Sequence, residues 1–229
     1  MNKIAAVILA AGSSSRMGGI KKEFFKIDNE PHQQSLTVLG KSVSAFWNVP
    51  SVDTIVIVVP ENGEKMARNA LPQDFLASET PKLLFVNGGQ TRRASVFNAL
   101  EALTEYSSDY VLIHDGARPW LSQLLVENII EAVKKHDAVI PVLQVTDTPK
   151  IIESEEHFVT QHLKRAIVGL AQTPQGFKFP EILYAHEKAA SVDEEFTDDA
   201  EIWDRFRSKV AVIPGENSNR KITFPEDLN

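Results

Sequence analysis

The chain has no cysteine in its 229 residues, which excludes disulfide bridges, thiolate metal sites and cysteine nucleophiles. No run approaches the ~18 consecutive apolar residues of a membrane span. Positive charge is also scarce. Its 24 Lys and Arg stand against 31 Asp and Glu, a formal charge of −7, which excludes broad binding to nucleic acid or to an anionic membrane. Any anionic ligand must therefore be held by local cations against an acidic background. The N-terminus, a charged tripeptide followed by the apolar run 4–11, is superficially like a signal peptide. That run is short and enters a Gly/Ser loop without a cleavage-type continuation, so it reads as a first strand. A soluble, cytoplasmic protein is expected. Three chemical signatures are absent as well: the three-glycine dinucleotide spacing, the Gly-Lys-Ser/Thr of a P-loop, and any histidine pair at metal-ligand spacing.

What is present is a regular alternation over one domain, residues 1–229, long enough to bury a core without staples. Short aliphatic runs at 4–9, 54–59, 83–86, 110–113 and 138–142 predict strands buried on both faces. Apolar residues three and four apart at 36–47, 61–70, 92–103 and 122–135 predict helices, with Thr91 and Ser122 as N-caps of the last two. The pattern predicts an α/β, doubly wound, mostly parallel sheet whose ligands sit beyond the carboxyl ends of the strands. Over 145–164 the alternation breaks into a two-stranded excursion, 151–152 and 158–159. An isolated hairpin is marginal in water, so this projecting β-arm must pack on the body or on a second subunit. The chain then returns through 170–177, helices at 180–190 and 198–206, and a strand at 210–213. Residues 225–229 read as the first turn of a helix, as though the native chain ran on.

The unusual residues follow strands. The first strand runs into Ala10-Ala11-Gly12-Ser13-Ser14-Ser15-Arg16-Met17, with Lys21 and Lys22 close behind. Small residues free backbone N–H groups, and nearby cations supply the charge a polyphosphate needs. Small residues after a strand are also ordinary punctuation, and the loop alone leaves both readings open. Gly88-Gly89-Gln90-Thr91-Arg92 permits close backbone approach to a ligand or is a plain turn and cap. Asp115, in His114-Asp115-Gly116-Ala117-Arg118-Pro119, suits a Mg²⁺ that keeps waters and bridges phosphates; alternatively it pairs with Arg118 in a turn. His114 is either a general base or, as a lone histidine at a strand end, structural. Lys221, after the last strand, is by itself ordinary solvated surface. The acidic run 193–195 with Asp198 and Asp199 reads as a solvated loop and helix N-terminus, capped by Thr197. As a set, an anion-cradling loop with Arg16 and Lys22, Asp115 and a late Lys221 suits nucleotidyl transfer. That chemistry is mostly alignment and charge stabilisation. An acceptor phosphate oxygen is already ionised, so no side-chain nucleophile is needed.

These residues carry a resemblance. Leu9-Ala10-Ala11-Gly12 with Arg16-Met17 and Lys22 is similar to the signature of Rossmann-like nucleotidyltransferases. Adding Gly88-Gly89, Arg92 and Ser95-Val96, then 114–119, 147–150, 173–177, 197–200 and 221–223 narrows it. Together, from Ile4 to Leu228, the chain resembles the 2-C-methyl-D-erythritol 4-phosphate cytidylyltransferases of the non-mevalonate isoprenoid pathway. The resemblance implies a nucleotide-diphospho-sugar transferase type of fold and a Mg²⁺-dependent reaction of CTP with methylerythritol phosphate. It implies that Arg16, Lys22 and Lys221 stabilise the transition state. It further implies that Asp115 holds Mg²⁺ and that Ala10, Ala11, Gly12, Gly89 and Ser95 bind the nucleotide. Arg118, Thr148, Arg165, Thr173 and Thr197 would grip the second substrate. The arm would exchange between the subunits of a homodimer, carrying Thr148 and Arg165 into the partner's site. Two departures stand out: Gln90 replaces an acid found in some members, and the loop 30–37 is longer than usual.

Three rivals remain at this level. The same chemistry on ribitol 5-phosphate shares the CTP half of the site. A nicotinamide oxidoreductase lacks both its glycine spacing and the acid about 20 residues on. A non-catalytic nucleotide-binding protein leaves the joint presence of Arg16, Lys22, Asp115 and Lys221 as coincidence.

Overall fold

The computed structural model describes residues 2–12, 21–27, 36–153 and 157–228. In chain order the strands are β1 (Ile4–Leu9), β2 (Lys26–Ile27), β3 (Leu36–Thr37), β4 (Val52–Val59), β5 (Lys82–Asn87), β6 (Tyr110–Asp115), β7 (Ala138–Gln144), β8 (Lys150–Ile152), β9 (Val159–His162), β10 (Gly169–Ala171), β11 (Gln175–Lys178) and β12 (Ala211–Pro214). The helices are α1 (Val38–Trp47), α2 (Glu64–Ala70), α3 (Gln73–Ala77), α4 (Arg92–Leu103), α5 (Gln123–His136), α6 (Phe179–Ala190) and α7 (Asp199–Phe206).

Eight strands form one sheet in the order β10-β7-β11-β6-β1-β4-β5, with β12 alongside β7. Strands β1, β4, β5 and β6 are mutually parallel, and β11 runs antiparallel between β6 and β7. Period-two alternation divides the core between the two faces of this sheet. Ile4, Ala6 and Ile8 of β1 join Ile55 and Ile57 of β4 in one cluster, which α1 and α5 cover through Leu39, Phe46, Val126 and Ile129. Ala5 and Val7 join Val56 and Val58 in the other, which α4, α6 and α7 cover through Leu100, Ile182 and Trp203. No helix among the described residues is long and apolar enough to cross a membrane.

Thr91 and Ser122 cap α4 and α5 as expected, their hydroxyls accepting from Ala94 N and Leu125 N. Several boundaries move. The helix expected from 61 begins at Glu64, because residues 60–63 close a turn in which Gly63 N donates to Pro60 O at 2.8 Å. The helix expected from 36 begins at Val38. Leu36–Thr37 pairs instead with Lys26–Ile27, and Thr37 caps the helix. Most of the long 30–37 loop lies outside the described residues. The return at 170–177 resolves into β10 and β11. Asp198, not Thr197, caps α7, its carboxylate accepting from Glu201 N at 2.9 Å. Thr197 instead donates through both N and Oγ1 to Glu201 Oε2. The excursion forms an antiparallel pair, β8 with β9.

Candidate active site

Parallel registers bring three loops to one edge. Leu9 lies opposite Asp115 on one side and Val58 on the other, and Val59 lies opposite Asn87. The residues after β1, the Gly88-Gly89 turn after β5, and Asp115 at the end of β6 therefore share the carboxyl-end edge. The approach is close. A Cβ on Gly116 would stand 2.8 Å from Leu9 O, and one on Gly88 would stand 2.4 Å from the Ala11 Cβ. Ala10 is buried and donates its N–H to Val58 O at 2.8 Å. Gly12 is exposed, and its carbonyl accepts from Lys21 Nζ at 2.7 Å. Ser95 ties the glycine turn to α4: its hydroxyl donates to Thr91 O at 2.9 Å and accepts from Gly89 N at 3.1 Å.

Asp115 is the electrostatic centre. Lys221 Nζ donates to its Oδ2 at 2.7 Å, Arg118 Nε stands 3.8 Å from the same oxygen, and Arg92 Nε faces Oδ1 at 3.7 Å. Burial alone would raise this carboxyl's pKa. Lys221 and then Arg92 outweigh burial, with help from Arg118, and hold it well below the usual carboxylate range. Arg92 also donates through Nη2 to the buried Asp199 at 2.8 Å. Burial opposes the charge of that guanidinium, but Asp199 and Asp115 raise its pKa above the ordinary arginine value. Asp199 therefore corrects its reading as solvated: it is fully buried and paired.

Lys221 is delivered by a loop pinned at Asn219. The Asn219 side chain donates to Thr173 O at 2.8 Å, while the Asn219 backbone carbonyl accepts from Arg118 Nη1 at 2.7 Å and Gln172 Nε2 at 3.2 Å. The next turn closes where Ile222 N donates to Ala117 O at 2.9 Å. His114 is structural. Its Nε2–H donates to Arg118 O at 3.2 Å, and its Nδ1 accepts from the Thr173 hydroxyl at 3.0 Å. That hydroxyl in turn accepts from Asp115 N at 3.1 Å. Burial leads in lowering the His114 pKa to about 4, in keeping with a neutral ring that donates through one nitrogen only.

Asp115, Arg118, Thr173 and Lys221 thus gather in one network, with Gly89 and Ser95 at the adjoining turn. Arg118 spends one Nη on Asn219, and the Thr173 hydroxyl is already engaged on both sides. Lys22 opens the 3-10 turn Lys22–Phe24, where it acts electrostatically on Glu23 and Asp227; Lys221 also acts on Glu23. Arg16 lies outside the described residues. Among the described residues, nothing bonds Thr148 or Arg165 to the Asp115 network. Arg165 donates to Thr146 O at 3.1 Å, and both side chains are exposed. Thr197 is exposed at the start of α7. Asn219 and Asp199 were missed as parts of the site because neither stands out locally from ordinary loop and cap residues.

Among the described residues no three His, Cys, Asp or Glu side chains gather as a metal cluster. One hard carboxylate ringed by cations fits Mg²⁺ only where phosphates and water complete the coordination. It therefore fits a cation arriving with a polyphosphate, with Asp115 as the protein ligand.

Residues 4–229 match the sequence profile of IspD, 2-C-methyl-D-erythritol 4-phosphate cytidylyltransferase. The bifunctional enzyme IspD/IspF of Bartonella henselae is 40% identical over 230 residues, covering 99% of this chain and 55% of that protein. The chain thus spans about half the length of the curated relatives it matches. The crystal structure of 4-diphosphocytidyl-2C-methyl-D-erythritol synthase from Anaerococcus prevotii is 32% identical with a TM-score of 0.81, covering 99% of this chain and 95% of that one. The 2-C-methyl-D-erythritol 4-phosphate cytidylyltransferase of Thermus thermophilus is 31% identical with a TM-score of 0.73, covering 97% and 94%. With a profile match over nearly its whole length and a fold shared with solved members, the chain belongs to the 2-C-methyl-D-erythritol 4-phosphate cytidylyltransferase (IspD) family.

Proposed function

We propose that the protein transfers a cytidylyl group from CTP to 2-C-methyl-D-erythritol 4-phosphate. A phosphate oxygen of the acceptor forms a bond to the CTP α-phosphorus, the bond from that phosphorus to the bridging oxygen breaks, and pyrophosphate leaves with the electron pair. The observation that carries this reading is the cation-ringed Asp115 beside the Ala10–Gly12 and Gly88–Gly89 backbone, in a chain of this family. Mg²⁺ bound at Asp115 would neutralise charge on the triphosphate. Lys221 already lies against Asp115, and an arriving phosphate offers its ammonium a second anion, so it can follow charge as it builds at the α-phosphorus. Lys22 would hold the triphosphate from the signature side, a role given to Arg16 as well by the motif match. Ala10, Ala11, Gly12, Gly89 and Ser95 would form the walls of the cytidine slot. Both substrates carry ionised phosphates and do not cross membranes, which favours a cytoplasmic enzyme.

The acceptor is read by Arg118, Thr173 and Thr197, with Thr148 and Arg165 supplied from a second subunit through the arm. Support for that exchange is the exposed apolar surface on and beside the arm: Phe158 is 66% and Ile167 81% exposed, with Ile152 and Leu170 also uncovered. A partner subunit would cover these side chains, as apolar surface on a projecting hairpin calls for. Mixed dimers of Arg165→Ala with Lys22→Ala should regain about one good site in two if sites are shared. No recovery would mean that each subunit builds its own.

The deciding experiment measures pyrophosphate release from CTP and Mg²⁺ with either methylerythritol 4-phosphate or ribitol 5-phosphate. Turnover with the former is expected. A preference for ribitol phosphate would overturn the acceptor assignment, and inactivity with both would overturn the reading.

A further inference from the structure

Asp115 is gripped from both oxygens, Oδ2 by Lys221 at 2.7 Å and Oδ1 by Arg92 at 3.7 Å. Arg92 is itself held from behind. Its Nη2 donates to Asp199 Oδ2 at 2.8 Å, and the second oxygen of Asp199 accepts from His186 Nε2 at 3.2 Å. Asp199 and His186 are both buried between α6 and α7, and the ring's Nδ1 has no partner among the described residues. A buried carboxylate and a half-satisfied imidazole are costly, and apolar side chains of similar volume would pack such a core at least as well. The hydrogen bonds of this pair lead instead to the guanidinium of Arg92, whose side chain is 33% exposed and whose Nε faces Asp115.

We infer that Asp199 and His186 are positioning residues of the site, acting through Arg92 to fix the direction in which the Asp115 carboxylate points. His186 donates to Asp199 and fixes which oxygen remains for Arg92. Asp199 then anchors one end of the guanidinium and leaves Nε toward Oδ1. Misplacement of an aligning group by an ångström lowers turnover by about a hundredfold at the upper end, and it lowers kcat rather than ground-state binding. The inference rests on the cytidylyltransferase reading.

Three variants test it by steady-state kinetics and thermal melting. His186→Leu removes the donor, whereas His186→Gln keeps an N–H at about the reach of Nε2. Asp199→Asn keeps the shape and removes the charge. In His186→Leu and Asp199→Asn, kcat is expected to fall about ten- to a hundredfold, with KM for CTP within about twofold. His186→Gln is expected to restore most of kcat. A purely structural pair would lower the melting temperature and leave kcat of the folded protein unchanged. Wild-type kcat in His186→Leu, or a His186→Gln as slow as it, overturns the inference; if His186→Leu does not fold, wild-type kcat in Asp199→Asn does so. An inactive wild type would instead defeat the cytidylyltransferase reading, and the inference with it.

Discussion

Replacing His114 by glutamine should remove about 2 kcal/mol of the protein's sensitivity to mild acid. The ring is fully buried, donates from Nε2 to Arg118 O and accepts at Nδ1 from Thr173. Burial leads the lowering of its pKa from 6.5 to about 4. The unfolded chain therefore takes up a proton as pH falls through 6.5, while the folded chain resists until about 4. The stabilisation is complete above 6.5 and is lost as pH falls toward the folded value. Between pH 7 and pH 5 the two titration curves differ by about 2 kcal/mol. Ordinary carboxylates hardly titrate there. Burial raises the Glu23 pKa, so its contribution has the opposite sign, but it is present in both proteins and cancels. Glutamine keeps one donor and one acceptor and cannot take up a proton. Its loss of edge contact with Phe46, now 5.3 Å between ring centroids, costs the variant about 1 kcal/mol at either pH. Urea unfolding of both proteins at pH 7 and pH 5 reads the difference. Wild type should lose about 2 kcal/mol more than His114→Gln across that interval. Equal losses would refute the assignment of a buried neutral ring.

Lys221→Met removes the nearest cation from Asp115, whose side chain is only 12% exposed, so the melting temperature should fall as the carboxylate loses its strongest partner. Pyrophosphate release by the folded variant should fall about a hundredfold or more, and wild-type turnover would remove Lys221 from the mechanism. Gly88→Ala forces a Cβ to within 2.4 Å of the Ala11 Cβ and 3.0 Å of Ser95 Oγ. Overpacking of about 1–3 kcal/mol should appear as weaker CTP binding by calorimetry with unchanged far-UV circular dichroism, and wild-type affinity would show that the turn does not border the nucleotide. Asn219→Ala deprives Thr173 O of its donor at a cost of about 1–3 kcal/mol and loosens the Lys221 loop, so melting temperature and kcat should fall together. A fall in neither would deny that Asn219 anchors the loop.

Where the physics is local, the sequence was legible. The alternation in β1 divides its side chains between two cores, and Thr91 and Ser122 cap the helices their hydroxyls suggested. Lys221 and Asp115 are 106 residues apart, and no local pattern pairs them; their partnership was readable only as part of a family's ordered set. Asp199 marks the limit most clearly. Acidic residues at the start of a helix are favourable where they are solvated, and that reading suits Asp198, which caps α7 from a partly exposed position. One residue further on, the helical turn carries the side chain inward against α6. There the same charge is tolerable only because His186 and Arg92 meet it. The two neighbours carry the same charge at the same helix end, and no residue in a local window marks the second for burial; what makes it tolerable as a buried anchor is a guanidinium supplied from 107 residues away. The acidic doublet is therefore better understood as two devices in sequence, one that starts the helix and one that couples it to the carboxyl-end edge of the sheet.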